Sequence, residues 1–362
     1  MTHRSLRTTP LIVRASVAVM VAISIGACAA SPASPSPRQT APPASASVAA
    51  TSSTGIVDSP TASTSATPSP SPSYPAGAKI DGRIQVGDPV APRWLAADDT
   101  SLWVHEPQSL VSVDLATSAV TGQVSTGWME YGYATTGAGS VWQTDYEGGH
   151  VLRIDPVSGK TLATIPVGLQ PLGVVVTAGG VWVANEHSGS VTRIDPATNK
   201  VIATIPINSP DSAGPQIMAA GPGGGVWVGV PNMGSVVRID AATNKVGLVV
   251  PFDGYVASDG AQVWLAVDAG IDGLPQAIRI DPDSGKVITA VDLDQDPGTC
   301  GLAVGLGSVW VGTGGLTRID PATGRIVGRL DLGGDCGNII VAGGEVWVAA
   351  EGQPYVLRIS PK

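Results

Sequence analysis

The stretch VWVANEHSGSVTRIDPATNKVIATIPI (181–207) decides the fold. VWVAN is a short apolar run of strand length. EHSG is a turn by composition. SVTRID is a second strand, and PATN places Pro, Thr and Asn where turn geometry favours them. KVIATIPI alternates apolar and polar residues, as a half-exposed strand does. Upstream, GVVVTA (173–178) is an apolar run closed by Gly-Gly, which reads as a buried strand preceding VWVAN. One unit therefore holds four antiparallel strands.

The unit recurs. An apolar residue followed by Trp appears at Trp103, Trp142, Trp182, Trp227, Trp264, Trp310 and Trp347, with steps of 39, 40, 45, 37, 46 and 37 residues. After each comes a second signature: LVSVDLATSAV from 110, VLRIDPVSGK from 151, VTRIDPATNK from 191, VVRIDAATNK from 236, AIRIDPDSGK from 277, LTRIDPATGR from 316 and VLRISPK from 356. Seven units of about four strands each are the signature of a β-propeller. The expected fold is all-β: seven four-stranded antiparallel blades. The last unit stops at Ser360-Pro361-Lys362 without an outer strand, whereas KIDGRIQVG (79–87) reads as an outer strand without a blade. The strand 79–87 is thus expected to complete blade seven, which removes two exposed edges.

These repeats resemble the YVTN-type propeller family, on VWVANEHSGSVTRIDPATNKVIATIPI (181–207) and again on VLRIDPVSGKTLATIPVGLQPLGVVV (151–176). The resemblance covers about residues 80–362. It implies a propeller and says almost nothing about activity, because such repeats serve many functions.

The ends of the chain are different in kind. His3, Arg4, Arg7 and Arg14 make a basic start, and ASVAVMVAISIG (15–26) is too short to span a bilayer. It reads as the core of a signal peptide. Ile25-Gly26-Ala27-Cys28 resembles the bacterial lipobox. That resemblance implies lipidation at Cys28 and an extracytoplasmic, membrane-anchored protein. An ordinary signal peptide, cut near Ala27 or Ala29–Ala30, is the other reading. Residues 28–76 are nearly all Ala, Ser, Thr and Pro. They bury too little apolar surface to order themselves and read as a tether. The domain plan is therefore signal peptide 1–27, tether 28–76 and propeller 77–362. Net charge is −9, and no Lys/Arg run lies beyond the first residues, so nucleic acid is not an expected partner. A monomer is expected.

The repeated Trp are expected to pack between blades. The repeated Asp (Asp114, Asp155, Asp195, Asp240, Asp281, Asp320) end the third strand before a turn and can cap it. Two residues earlier stand Arg153, Arg193, Arg238, Arg279, Arg318 and Arg358. Arg–Asp pairing within or between blades is the expectation there, in preference to catalysis.

Departures from the repeat on one face are the candidate site. Nine residues before each repeated Trp, at the mouth of the innermost strand, stand Trp94, Tyr133, Gly173, Met218, Tyr255, Gly301 and Asn338. Trp128, Glu130 and Tyr131 lie in the connection into blade two. The connection NSPDSAGPQ (208–216) and the acids Asp253, Asp294 and Asp296 border the same mouth. Trp94, Trp128, Tyr131, Tyr133, Met218, Tyr255 and Asn338 are the candidate ligand-binding residues, and a plug of the central channel is the competing role. Cys300 and Cys336 begin innermost strands in adjacent blades, so a disulfide is expected in an exported protein. His105, His150 and His187, with Glu186, fall near the second-to-third-strand turns of blades one to three. They are the only catalytic candidates, against a simple role as solvated turn residues. No Cys/His spacing suggests zinc, and no resident cofactor is expected.

The expected function is a non-catalytic binding or scaffold module for a small molecule, glycan or peptide. The repeat style also resembles the virginiamycin B lyase family, seven-bladed Mg²⁺-dependent propellers that open streptogramin rings by elimination. That resemblance would imply Mg²⁺ and a catalytic His; the clustering of His in three neighbouring blades departs from it. Lactonase-like and quinoprotein-like propellers fit less well, given seven Trp repeats and separated cysteines.

Overall fold

In the computed structural model, Val181 pairs with Ile194, Trp182 with Arg193 and Val183 with Thr192, and the next strand continues the ladder by pairing Thr192 with Thr204. The four strands of this blade are Pro171–Thr177, Gly180–Asn185, Ser190–Asp195 and Lys200–Pro206. The structure describes residues 78–361, apart from 88–91, 93, 128–130, 208–213, 269, 272, 294–297, 335 and 351. The segments read as signal peptide (1–27) and tether (28–76), Cys28 among them, lie outside the described residues.

Seven such four-stranded antiparallel sheets follow one another. Six are consecutive, at 94–125, 134–166, 171–206, 218–250, 255–292 and 301–330. The seventh combines 336–361 with the strand Ala78–Gln85, which pairs Gln85 with Tyr355 and Ala78 with Pro361. The chain ends thus close the last blade, as the orphan outer strand foretold, with the strand running 78–85 rather than 79–87.

Burial explains the sequence pattern. The second strands are buried on both faces and mainly apolar around the Trp, with buried polar residues such as Gln143 and Asn185 toward their ends, whereas the outer strands are largely exposed. All seven repeated Trp are at most 2% exposed. Each joins the core of the next blade: Trp103 shares a buried cluster with Val141, Leu152 and Ile154, and Trp142 with Val181 and Ile194. Burying rings of this size at each seam is the main apolar contribution to blade stacking.

Every third-to-fourth-strand ladder has a register shift at one place, such as Arg153/Ile154, Arg193/Ile194 and Arg238/Ile239. A bulge there increases twist and re-aims the side chain. The Arg reaches across the seam. Arg153 Nη1 donates to Pro196 O at 2.6 Å and Asn199 Oδ1 at 2.8 Å in the next blade. Arg193 repeats this with Ala241 O and Asn244 Oδ1, at 2.6 and 2.7 Å. Arg358 of blade seven donates to Ser118 Oγ of blade one at 3.0 Å, carrying the clasp across the closure. The repeated Asp does not receive this Arg. Asp195 accepts from Ala197 N at 2.9 Å and Thr198 Oγ1 at 2.7 Å, within its own turn. The expected Arg–Asp pair is therefore replaced by an Arg–turn clasp and a self-capped turn. The reason is geometric: the carboxylate is consumed by local N–H and O–H donors, and the Arg reaches across the seam instead. Carboxylate partners do occur, but they are Asp283 for Arg238 and Glu345 for Arg358.

Candidate functional site

Innermost strands begin on one face of the ring, and that face holds a cavity of about 390 Å³. Trp94, Tyr131, Tyr133, Tyr255 and Asn338 line it, together with Thr299 and Cys300. Below it an axial cavity of about 380 Å³ is lined by the innermost strands of all seven blades, Met218 included. Trp94, Tyr255 and Asn338 border both. The structure therefore brings together five of the seven residues singled out as ligand-binding, with Met218 one level deeper. Trp128 lies outside the described residues.

The aromatic residues form a defined surface. Trp94 stacks flat on Tyr133, with ring centroids 3.6 Å apart and 7° between planes. Tyr131, 46% exposed, leans on Tyr146 at 5.7 Å and 55°. Asn338 is held by its side-chain oxygen, which accepts from Leu95 N at 3.0 Å across the seam between blades seven and one. Tyr133 N donates to Thr144 Oγ1 at 2.8 Å, which in turn donates to Leu172 O at 2.8 Å. This fixes the Tyr133 backbone between blades two and three. Burial pushes the Tyr133 phenol well above its ordinary range, with lesser contributions from Tyr255 and Glu186, so its hydroxyl stays protonated.

Glu186 ties three blades together. Its Oε2 accepts from Tyr146 Oη at 2.9 Å and its Oε1 from Gln216 Nε2 at 2.8 Å. Burial, followed by the bond to Glu186, pushes the Tyr146 phenol up to about 12. Tyr146 and Thr299 were not singled out by sequence, whereas Gln216 ends the connection 208–216 read there as bordering the mouth. The one signal for Tyr146 is an aromatic residue inside an otherwise polar turn, DYEGGH (145–150).

Cys300 and Cys336 form a disulfide, with Cα atoms 5.9 Å apart, joining the innermost strands of blades six and seven. Gly312 lies against both sulfurs; a Cβ there would collide with them. The second strand of blade six therefore ends in Gly, VWVG, where blades one and three have larger residues.

The histidines do not converge. His105 belongs to the strand Ser101–Glu106 rather than to a turn, and is fully buried. His150 starts the strand His150–Ile154, its Nε2 3.0 Å from Asp145 Oδ2 of its own hairpin. His187 is exposed in the next blade's turn. Among the described residues no group of three or more His, Cys, Asp and Glu could hold a metal ion. The described residues therefore assemble no cluster of the kind that would hold Mg²⁺. Asp294, Asp296 and Glu130 lie outside the described residues.

No protein-family model matches the chain, and no curated protein matches it. Solved structures do. A streptogramin B lyase structure aligns with a TM-score of 0.66 at 14% identity, over 79% of this chain and 98% of that one. A catalytically inactive virginiamycin B lyase from Staphylococcus aureus with quinupristin aligns at 0.65 and 13%, over 78% and 99%. Kuenenia stuttgartiensis hydrazine synthase aligns at 0.63 and 17%, over 77% and 98%. At such identities the likeness is one of fold: the chain is a seven-bladed β-propeller whose departures from its own repeat gather at one mouth.

Proposed function

We propose that the protein is an envelope-anchored propeller that captures a small molecule, glycan or peptide at this mouth without transforming it. The observation that carries the reading is the flat Trp94–Tyr133 stack beside Tyr255 and Asn338, on a cavity of ligand size. Aromatic faces supply contact area, and Asn338 and the protonated Tyr133 hydroxyl supply orientation. Lipidation at Cys28 and the tether would hold the propeller outside the membrane, in reach of soluble ligands.

A second reading, a streptogramin lyase-like enzyme, is favoured by the fold shared with two lyase structures. The dispersed histidines weigh against it. Thermal shift of the full chain against glycans, peptides, streptogramins and Mg²⁺ separates the two. A binder is stabilised by a ligand alone, by about 2.7 kcal/mol at a hundred times its Kd, and loses that shift in Trp94→Ala and Tyr255→Ala. A lyase would instead consume a streptogramin in a metal-dependent manner and lose turnover in His150→Ala or His187→Ala. Unchanged affinity in both aromatic variants would sink the mouth reading.

A further inference from the structure

The described residues of the mouth face carry one sign of charge, Arg93 in the connection into blade one lying outside them. The connections into the blades and the turns from second to third strands all emerge there. Among their described residues stand Asp145, Glu147, Glu186, Asp253, Asp268 and Asp331, and no Lys or Arg. Most described cations sit at the other end, although Arg83 reaches the mouth-side connection at Gly333. Lys160, Lys200, Lys245, Lys286 and Arg325 all follow the capped turns of the opposite face. Arg83 and Arg329 are on outer strands, the first over the Tyr355 ring at 5.5 Å and the second donating to Thr317 Oγ1 at 3.2 Å.

An acidic rim alone would be a solvated surface. Here it surrounds a cavity walled by four aromatic rings, and its carboxylates are wired to that wall. Glu186 is held by two neutral donors, Tyr146 and Gln216, so hydrogen bonds fix its position while no cation neutralises its charge. On the far side, Asp268 Oδ1 accepts from Thr299 N at 2.7 Å and Thr299 Oγ1 at 2.9 Å, and Thr299 lines the cavity. Aromatic faces attract cations through their negative quadrupole. An apolar-walled cleft rimmed mainly by one sign of charge focuses that attraction. No carboxylate lines the cavity itself, so a strongly hydrated ion gains little there. A weakly hydrated organic cation gains from both rings and rim.

We infer that the mouth selects organic cations, ligands that join a planar or apolar body to an ammonium or guanidinium group. This rests on the reading of the mouth as the ligand site. The test uses the full chain and three probes of one shape: benzyltrimethylammonium, benzyl alcohol and phenylacetate, titrated by ligand-observed NMR. The cation should bind about tenfold more tightly than the alcohol, and phenylacetate most weakly. The preference should shrink at molar salt and in a Glu186→Gln, Asp268→Asn double variant, with the ratio of affinities as the readout. Trp94→Ala should weaken cation and alcohol together. Equal binding of cation and alcohol, lost in Trp94→Ala, would overturn the charge selectivity and leave the mouth reading standing. Absence of binding by all three probes would overturn the organic-cation selectivity, the mouth reading itself standing or falling on the thermal shift of Trp94→Ala and Tyr255→Ala.

Discussion

Arg193 of blade three donates to the side-chain oxygen of Asn244 in blade four at 2.7 Å, while its guanidinium lies 4.8 Å from the centre of the Trp182 ring. One residue thereby joins three features of the repeat: the buried Trp, the bulge and the next blade's turn. Its Nε also donates to Gly179 O at 2.8 Å, so the planar fork is used on two sides. Lys cannot reproduce that geometry. Arg193→Ala and Arg193→Lys should each destabilise the propeller by about 2 kcal/mol, lowering Tm by a few degrees. Asn244 has φ of 52°, so Asn244→Gly preserves the turn and removes one bond of the clasp. It should cost less than either Arg change, and the double variant should cost less than the sum. Strict additivity in thermal melts would show that the clasp carries no coupling.

The repeat made the ring legible, and the reason is its regularity. VWVAN, SVTRID and PATNK each declare a local element, and seven copies count the blades. The unpaired strand at the front of the domain has one place to go. Contacts between blades were less legible, because Arg193 meets Asn244 across 51 residues and no local pattern announces it. The Arg–Asp expectation failed for that reason: spacing put the two on one strand but could not tell that Asp195 spends its carboxylate on its own turn. His105 was misplaced because in blade one the second strand runs on to Glu106 before its turn. At the mouth, counting back from each Trp located Trp94, Tyr133, Tyr255 and Asn338, since the first hairpin of a blade keeps its register: Trp94 faces His105 and Tyr255 faces Ala266, each two residues after the Trp. Tyr146 escaped because it reaches the site through Glu186 from a turn in another blade.

The disulfide closes a separation of 36 residues and sits in the mouth wall. In the chain-entropy account a loop of this size contributes about 3–4 kcal/mol. A Cys300→Ala, Cys336→Ala variant should lose most of that in chemical denaturation, and reductant should destabilise the parent protein to a similar extent. Reductant should do nothing further to the variant. Because Cys300 lines the cavity, the variant should also bind mouth ligands more weakly. Equal stability of the parent with and without reductant would remove the disulfide from any role in holding blades six and seven together.

Glu106 makes the opposite kind of contribution. It is 7% exposed; Ser109 Oγ donates to its Oε2 at 3.0 Å, but its Oε1 is buried with no hydrogen-bond partner among the described residues. Burial pushes its carboxyl above the usual range, against the smaller opposing effect of Ser109. A folded-state value above the unfolded one means that the folded protein holds this proton more tightly. The ionised side chain therefore costs stability at neutral pH, and that cost disappears as pH falls below the ordinary carboxylate value of about 4.3. Glu106→Gln keeps the shape and removes the charge. It should stabilise the propeller by about 1 kcal/mol at pH 7, with the gain vanishing toward pH 4. The turn carboxylates Asp114, Asp155, Asp195, Asp240, Asp281 and Asp320 are held below their usual range by their own turn donors. Their contribution is present above that range and lost as pH falls through the lowered values. It is common to both proteins and cancels in the difference. Denaturation of parent and Glu106→Gln at the two pH values reads the effect directly, and a gain that persisted unchanged to pH 4 would mean that packing, not charge, was responsible.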